Sequence, residues 1–537
     1  MPSGAATNAD EIGHRDARQA ARSERRLVRN TGFSLAQQVS AMALALLLVP
    51  YMLWMLGPER YGMWLSLQLF NILGFAGLAE LGFQGAIVRF LARYYAQGDR
   101  AACAGVMIAG LALFTALGIV VAAAVIVFAN TGLTVLLPIA DESAAEMRLA
   151  LSIMGAGLFA SFPALAIKAF FAGRQELATT KTWEFCDRLA FALATLVLLQ
   201  FTTNLAALVL VEQLIALFLA AVFGFLAWSR SAGWRGWRSG KALGEHLRDI
   251  AQLSRPVFAA NLASQGFNRL PDLFVAVLLG PVSLTAFQIA TRIPRAVKVL
   301  QGSLNAAVLP HVAQLDLAKE PSARDAAKGP VHTGAEFVLL GLRLNMLLAV
   351  PVLVAISSLA PLLLKLWVGA QYVSLTGYLV GFALFQALFL VSNYVSATLT
   401  RSQHFKVFVR INLMLLALLV CALALGLEAG GIGFLAGTLI VCGAGMAGAA
   451  FFVFHRVHGL PPRRIFREAI SGPVLLSGVS GAILLAPGAV LLANAQWSVG
   501  AALAGSAGCI YALLIYQKVL NAPERAFLAG LVRRARG

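Results

Sequence analysis

The stretch "LGPERYGMW", Leu56 to Trp64, closes one hydrophobic run and opens the next, and "LGP" returns at Leu279 to Pro281. Between two apolar runs, Leu-Gly-Pro reads as a tight turn. Proline fixes φ and removes a backbone donor, while glycine accepts the angles a reversal needs. Two such turns, 223 residues apart from Gly57 to Gly280, point to an internal repeat.

The runs on either side are those of a membrane protein. Of 537 residues, 59% are hydrophobic and only 12% charged, and the mean hydropathy is +0.80, whereas soluble domains carry about 25% charged residues. A helix crossing the hydrocarbon core needs about 20 mostly apolar residues. By that measure the chain contains about fourteen spans, near 33–57, 61–83, 102–128, 148–171, 186–202, 205–228, 252–279, 283–308, 335–364, 373–397, 407–427, 431–454, 470–492 and 496–518.

Charge placement supports this reading. Lys and Arg collect on the cytoplasmic side of membrane proteins, and here basic stretches fall in every second connection: Arg89 to Arg100, Arg174 to Arg188, Arg230 to Arg248, Lys319 to Lys328, Arg401 to Lys406, Arg456 to Arg467 and Lys518 to Arg536. Of 42 basic residues only Arg60, Arg148 and Lys365 fall at the opposite surface. An even number of spans puts both termini in the cytoplasm. Trp54, Trp64, Trp367 and Trp497 then lie near the outer interface. The net charge of +18 is accounted for by topology and lipid contact, and nucleic acid is not an expected partner because no basic soluble domain is present.

The repeat fixes the architecture. "AGRQ" (Ala172 to Gln175) and "TRSQ" (Thr400 to Gln403) close the fourth and tenth spans, and Arg230 and Arg456 follow the sixth and twelfth. The expected fold is an all-α integral membrane protein with two parallel six-helix pseudo-repeats and two C-terminal helices, the repeats being parallel because each holds an even number of spans. The divisions are a cytoplasmic tail (1–29), an N-lobe (30–230), an inter-lobe cytoplasmic linker (231–250), a C-lobe (251–458), spans thirteen and fourteen (459–518) and a cytoplasmic tail (519–537). The first tail lacks the apolar core and cleavage site of a secretory signal.

Polar residues inside the spans mark the candidate site. In the seventh span Asn261, Gln265, Asn268 and Asp272 recur on one helix face, with Arg269 three residues before Asp272, either facing a cavity or paired with that acid. In the eighth, Gln288, Arg292 and Arg295 share a face and Lys298 follows. Each such cation costs about 2.5 to 3.5 kcal/mol near a helix centre, so these should face a wet cavity. Arg292 and Arg295 have no acid in their own span and need a partner elsewhere or an anionic ligand. In the first span Gln38 occupies the position equivalent to Asn261. The intramembrane acids are Glu80, Glu212 and Asp272, each able to couple H+ or Na+ to transport or to neutralise a nearby cation.

Taken together, "LGPERYGMWLSL" (Leu56 to Leu67), "LAELGFQGAIVRFLARYYAQGD" (Leu78 to Asp99), "LGPVSLTAFQIATRI" (Leu279 to Ile293), "LPHVAQL" (Leu309 to Leu315) and "LWVGAQY" (Leu366 to Tyr372) resemble the polysaccharide branch of the MOP exporter superfamily, the O-antigen (Wzx-type) flippases. The resemblance implies translocation of an undecaprenyl-pyrophosphate-linked oligosaccharide, the repeat unit of an O-antigen, lipopolysaccharide or exopolysaccharide, from the inner to the outer leaflet of a bacterial inner (plasma) membrane by alternating access. It places Glu80 before the glycine of the second span, where the family often has Asp, and Arg89 shortly after as a gate or lipid-headgroup residue. The cationic lining for a pyrophosphate maps to Arg269, Arg292, Arg295 and Lys298, with Gln38, Asn261, Gln265, Asn268 and Gln288 as polar lining. Expected partners are the polyprenyl-pyrophosphate glycan, membrane lipids, a coupling ion (H+ or Na+) and polysaccharide polymerase or export proteins.

Catalysis has no evident seat, and no cofactor is expected. There is no HExxH, no GxxxxGK[ST] and no C-x-x-C, and seven scattered His form no ligand spacing. "GAGMAG" (Gly443 to Gly448) satisfies G-x-G-x-x-G but lies inside the twelfth apolar span and not after a strand, where small residues serve close helix packing. The alternatives within the superfamily are a peptidoglycan lipid-precursor flippase and an ion-coupled multidrug exporter. A membrane-embedded glycan polymerase or transferase would need a larger external loop.

Overall fold

The computed structural model describes residues 40, 42–71, 82–133, 137, 141–230, 243–317, 334–399, 405–459 and 461–472. The N-terminal tail, Gln38, Glu80, "TRSQ" and the expected spans thirteen and fourteen, apart from a few residues of the first of them, lie outside the described residues, as do the side chains of Asn261 and Gln265.

Among the described residues every regular element is helical. We number them α1 (Met42–Gln68), α2 (Phe83–Ala96), α3 (Arg100–Thr131), α4 (Asp141–Gly173), α5 (Leu177–Leu198), α6 (Leu205–Arg230), α7 (Leu243–Phe274), α8 (Gly280–Leu317), α9 (Gly334–Ser358), α10 (Ala360–Trp367), α11 (Thr376–Leu399), α12 (Phe405–His458) and α13 (Pro462–Ile465). Eight helical stretches are long and apolar enough to cross a membrane, so the chain is a multi-pass membrane protein. Three of these, Met42–Gln68, Gly266–Lys298 and Lys406–Val457, each run through a glycine with positive φ and so cover parts of two expected spans.

Those glycines explain the opening motif. Gly57 has φ +74° and Gly280 φ +80°. Nothing lies within 4 Å of where a Cβ would stand on Gly57, so the requirement there is for backbone angle and not for space. A five-residue π-helical stretch, Val275–Leu279, leads into the second corner. The two corners also touch each other. The Thr285 hydroxyl donates to the Pro58 carbonyl at 2.7 Å, and a Cβ on Gly62 would fall 2.0 Å from the Pro281 carbonyl oxygen. A second hydrogen bond across the halves runs from the Trp367 indole to the Leu46 carbonyl, 2.7 Å.

Within the first half, α3 and α4 pack through small residues. A Cβ on Gly118 would come 3.0 Å from Phe162, and one on Gly155 2.8 Å from Ile126. Such close approach is how apolar helices associate where no hydrophobic drive separates them from lipid. Asp99 starts α3 by accepting the Ala102 amide at 2.9 Å, which satisfies one of the four orphan donors of a helix start. In the second half α11 packs along α12, and α8 packs against α9 and α11.

Two of the residues that sequence alone placed at an interface are held inside the protein. Arg60 pairs with Glu146 at 2.7 Å and donates to the Thr203 carbonyl at 3.0 Å, and Glu146 also accepts the Leu205 amide. Its charge is cancelled locally, which removes it from the topological count. Trp64 is 5% exposed and stacks on Phe191 at 5.7 Å, so it is a packing residue and not an interfacial ring. Trp54, 79% exposed, fits the interfacial expectation.

Candidate functional site

The hairpin of α7 and α8 sets the site. Asn268 and Asp272 are one helical turn apart on α7, and Arg295 and Lys298 one turn apart on α8, so reversal at Gly280 brings the two faces together in antiparallel register. Two rungs result. Lys298 donates to the Asn268 amide oxygen, and Arg295 pairs with Asp272 through two nitrogens at 3.1 and 3.4 Å. Aromatic faces complete the setting. Arg295 lies 5.4 Å from the Phe287 ring centre and Lys298 4.3 Å from that of Phe389, distances at which a cation is attracted to the ring.

Asp272 takes its ion pair from Arg295 of the facing helix and not from Arg269, the alternative that the i, i+3 spacing offered. The acid is 1% exposed and its ion pair is with Arg295, whose side chain is 29% exposed. The i, i+3 spacing placed Arg269 near the acid, but the facing helix offers a bidentate guanidinium, which binds a carboxylate more strongly than a neighbour leaving at an angle on the same helix. Arg269 remains an electrostatic neighbour of Asp272, Arg295 and Lys298. The group therefore holds three cations against one carboxylate. Excess positive charge inside an apolar bundle is costly unless an anion or water meets it, so the arrangement favours anionic oxygen.

Arg292 stands apart from the ladder. It is an electrostatic neighbour of the buried Tyr61 of the first half. Gln288, on the same helix face, is partly exposed. Four polar residues of the second half were not singled out from sequence. Gln386 is 2% exposed and its amide nitrogen has no hydrogen-bond partner among the described residues. Thr291, 3% exposed, donates to the Phe287 carbonyl at 2.9 Å. The Gln301 amide donates to the Leu390 carbonyl at 2.7 Å, and Asn393 donates to Gln301 at 3.3 Å. The signal was present for two of them: Gln386 and Asn393 recur at i, i+7 in an otherwise apolar span, the same pattern that picked out α7.

In the first half, Glu212 is held in a cage of amides. Gln68 donates to one carboxylate oxygen at 2.8 Å and Asn71 to the other at 2.9 Å, and Asn71 also donates to the Gln68 carbonyl at 3.0 Å. Gln68 ends α1 and Asn71 lies in the turn that follows, where its backbone amide donates to the Gln68 main-chain carbonyl at 3.3 Å. No cation pairs with Glu212 among the described residues, whereas Lys168, another intramembrane cation, lies 5.1 Å from the Trp183 ring centre. Arg89 is exposed on α2. Among the described residues no group of three His, Cys, Asp or Glu could hold a metal ion.

A family model described as "Polysaccharide biosynthesis protein" matches residues 27–316. No curated protein matches at a significant level. Solved structures share the fold at low identity. The lipid II flippase MurJ in an inward closed conformation is 12% identical, with a TM-score of 0.64 over 92% of this chain and 99% of that one. An inward-facing multidrug resistance MATE transporter of the MOP superfamily is 14% identical, with a TM-score of 0.61 over 81% of this chain and 99% of that one. A MOP superfamily transporter from Pyrococcus furiosus Vc1, for which a reversed polarity of the binding pocket suggests a different function, is 14% identical with a TM-score of 0.57 over 82% and 96% of the two chains.

Proposed function

From the premise that the chain belongs to the polysaccharide biosynthesis protein family and has the MOP exporter fold, we propose that it is a flippase for a polyprenyl-pyrophosphate-linked oligosaccharide. It moves the lipid from the inner to the outer leaflet of a bacterial inner membrane, with both termini cytoplasmic. The observation that carries this reading is the excess of cation over acid where α7 faces α8, with Arg269, Arg295 and Lys298 gathered around Asp272 among the described residues. A diphosphate entering between the halves meets Arg292 from one side and the exposed part of Arg295, Arg269 and Lys298 from the other. Asn268 and Gln288 supply neutral hydrogen bonds suited to sugar hydroxyls.

Transport against a gradient needs a coupling ion. Glu212 is the group we assign to it, because it is a carboxylate within the bundle with no cation beside it and amides that accommodate either H+ or Na+. The same residue is what would favour the multidrug reading, in which a carboxylate meets a cationic drug. Both of its oxygens are already engaged by amides, and the cations outnumber the acids, so the lipid-diphosphate reading is preferred. The peptidoglycan-precursor flippase of the same fold shares the charge logic, and the identity of the sugar separates the two.

The test is translocation in proteoliposomes. Purified protein is reconstituted with a fluorescent polyprenyl-pyrophosphate oligosaccharide, and a membrane-impermeant reagent counts the lipid in the outer leaflet. Protein-dependent movement driven by a proton or sodium gradient is expected. Transport of a cationic dye with no movement of the lipid would replace this reading with drug export.

A further inference from the structure

Beside the Asp272–Arg295 rung the second half encloses a small cleft, lined on its polar side by Asn268, Thr291, Arg295 and Gln386, with Phe267 and Phe385 among its walls. It has room for one small occupant and not for a sugar. Three features distinguish it from an ordinary packing defect. Gln386 is 2% exposed and presents an amide nitrogen with no hydrogen-bond partner among the described residues, and such an orphaned buried donor costs about 1 to 3 kcal/mol. The helix that carries it, α11, has no ionisable side chain other than the hydroxyls of Tyr378 and Tyr394, so the amide is not there to serve a neighbouring charge on its own element. The adjoining cluster holds three cations against one carboxylate, a net positive charge in a region where uncompensated charge is expensive.

We propose that this cleft binds a monoatomic anion, chloride in the cell, as the resident counter-charge of the α7–α8 cation cluster. The ion accepts from the Gln386 amide and faces the Arg295 guanidinium, and the positive edges of the phenylalanine rings tolerate it. An ordered water would also satisfy Gln386, and the halide titration separates the two, since a water gives the protein no halide dependence. The inference rests on the hairpin geometry and stands apart from the assignment of a transported lipid: a protein that moved no glycan would still hold the ion. Anionic oxygen of a diphosphate shares the chemistry but not the size, and would meet the same cations from the open side.

The experiment is thermal unfolding of the purified full-length protein in detergent, titrated with sodium chloride in place of sodium gluconate at constant ionic strength. A saturable rise of the midpoint with chloride, reproduced by bromide, is expected. Gln386→Leu should abolish the chloride dependence. Gln386→Glu is the decisive variant, since it supplies the negative charge covalently: its midpoint in gluconate should rise toward that of the wild type in chloride, and chloride should no longer raise it. Inorganic pyrophosphate should shift wild type and Gln386→Leu alike. A midpoint indifferent to the halide, or a chloride response unchanged in Gln386→Leu, overturns the proposal. Should Gln386→Leu fail to fold, bromide-soaked crystals of the wild type provide the second reading. Anomalous density between Gln386 and Arg295 supports the site, and its absence at saturating bromide refutes it.

Discussion

Replacing Arg295 by Gln leaves Asp272, 1% exposed, without its cation. Breaking a buried pair from one side costs about 3 to 5 kcal/mol, because the remaining charge is stranded. The guanidinium is 29% exposed, and Arg269 lies near enough to compensate in part, so about 3 kcal/mol is the expected loss. Asp272→Asn removes the acid and leaves three cations facing one another, with a loss of similar size. The double variant Asp272→Asn/Arg295→Gln removes both charges and should lose no more than either single variant, about 3 kcal/mol, where independent losses would sum to about 6, giving a coupling of about 3 kcal/mol. Arg269→Gln combined with Asp272→Asn should show a coupling below about 1 kcal/mol, the range of pairs that do not share a direct bond. The assay is reversible unfolding in mixed micelles, followed by tryptophan fluorescence, with monodisperse elution as the criterion for a folded start. Coupling of Asp272 to Arg269 that exceeds its coupling to Arg295 would refute the ladder and restore the pairing along one helix.

Three further outcomes follow from the same geometry. Gly57→Ala should destabilise by about 1 to 2 kcal/mol, the cost of a left-handed residue with a Cβ, and because its Cβ meets no atom within 4 Å, Gly57→Asn should lose clearly less, read as unfolding midpoints. Gly62→Ala should force the two corners apart, since its Cβ would lie 2.0 Å from the Pro281 carbonyl oxygen; the expected readout is faster labelling of a cysteine placed at Thr285, and unchanged labelling counts against the contact. Glu212→Gln should retain the fold, being isosteric and keeping one acceptor oxygen for Asn71 or Gln68, yet lose the acceleration of transport by an ion gradient, while gradient-free exchange of lipid between leaflets persists.

Much of the fold was legible because membrane physics leaves few options. Length of apolar runs, alternation of basic loops and the repeated Leu-Gly-Pro all express constraints local to the chain. The corners at Gly57 and Gly280 came from residue chemistry alone, and both have the left-handed φ that the motif demands. What sequence could not supply was the partner across a helix hairpin. Asp272 and Arg269 are three apart and Asp272 and Arg295 are 23 apart, and only the packing of α7 against α8 decides between them. Arg60 shows the same limit, since its partner Glu146 is 86 residues away and nothing nearby in the chain announces it. Gln386 was overlooked for a different reason: a neutral amide in an apolar helix raises no charge signal, although its i, i+7 companion Asn393 was available to mark the face.

The central claim is that the hairpin cations recognise the diphosphate of a lipid-linked glycan. It is tested most directly by comparing initial translocation rates of the pyrophosphate-linked glycan and its monophosphate analogue in proteoliposomes, for the wild type and for Arg269→Gln/Lys298→Gln. The account predicts that the wild type prefers the diphosphate by at least about tenfold, the equivalent of 1.4 kcal/mol. It further predicts that the variant, inserted and folded to the same extent, loses most of that preference. Equal rates for the two headgroups in the wild type, or a preference left intact in the variant, would contradict it.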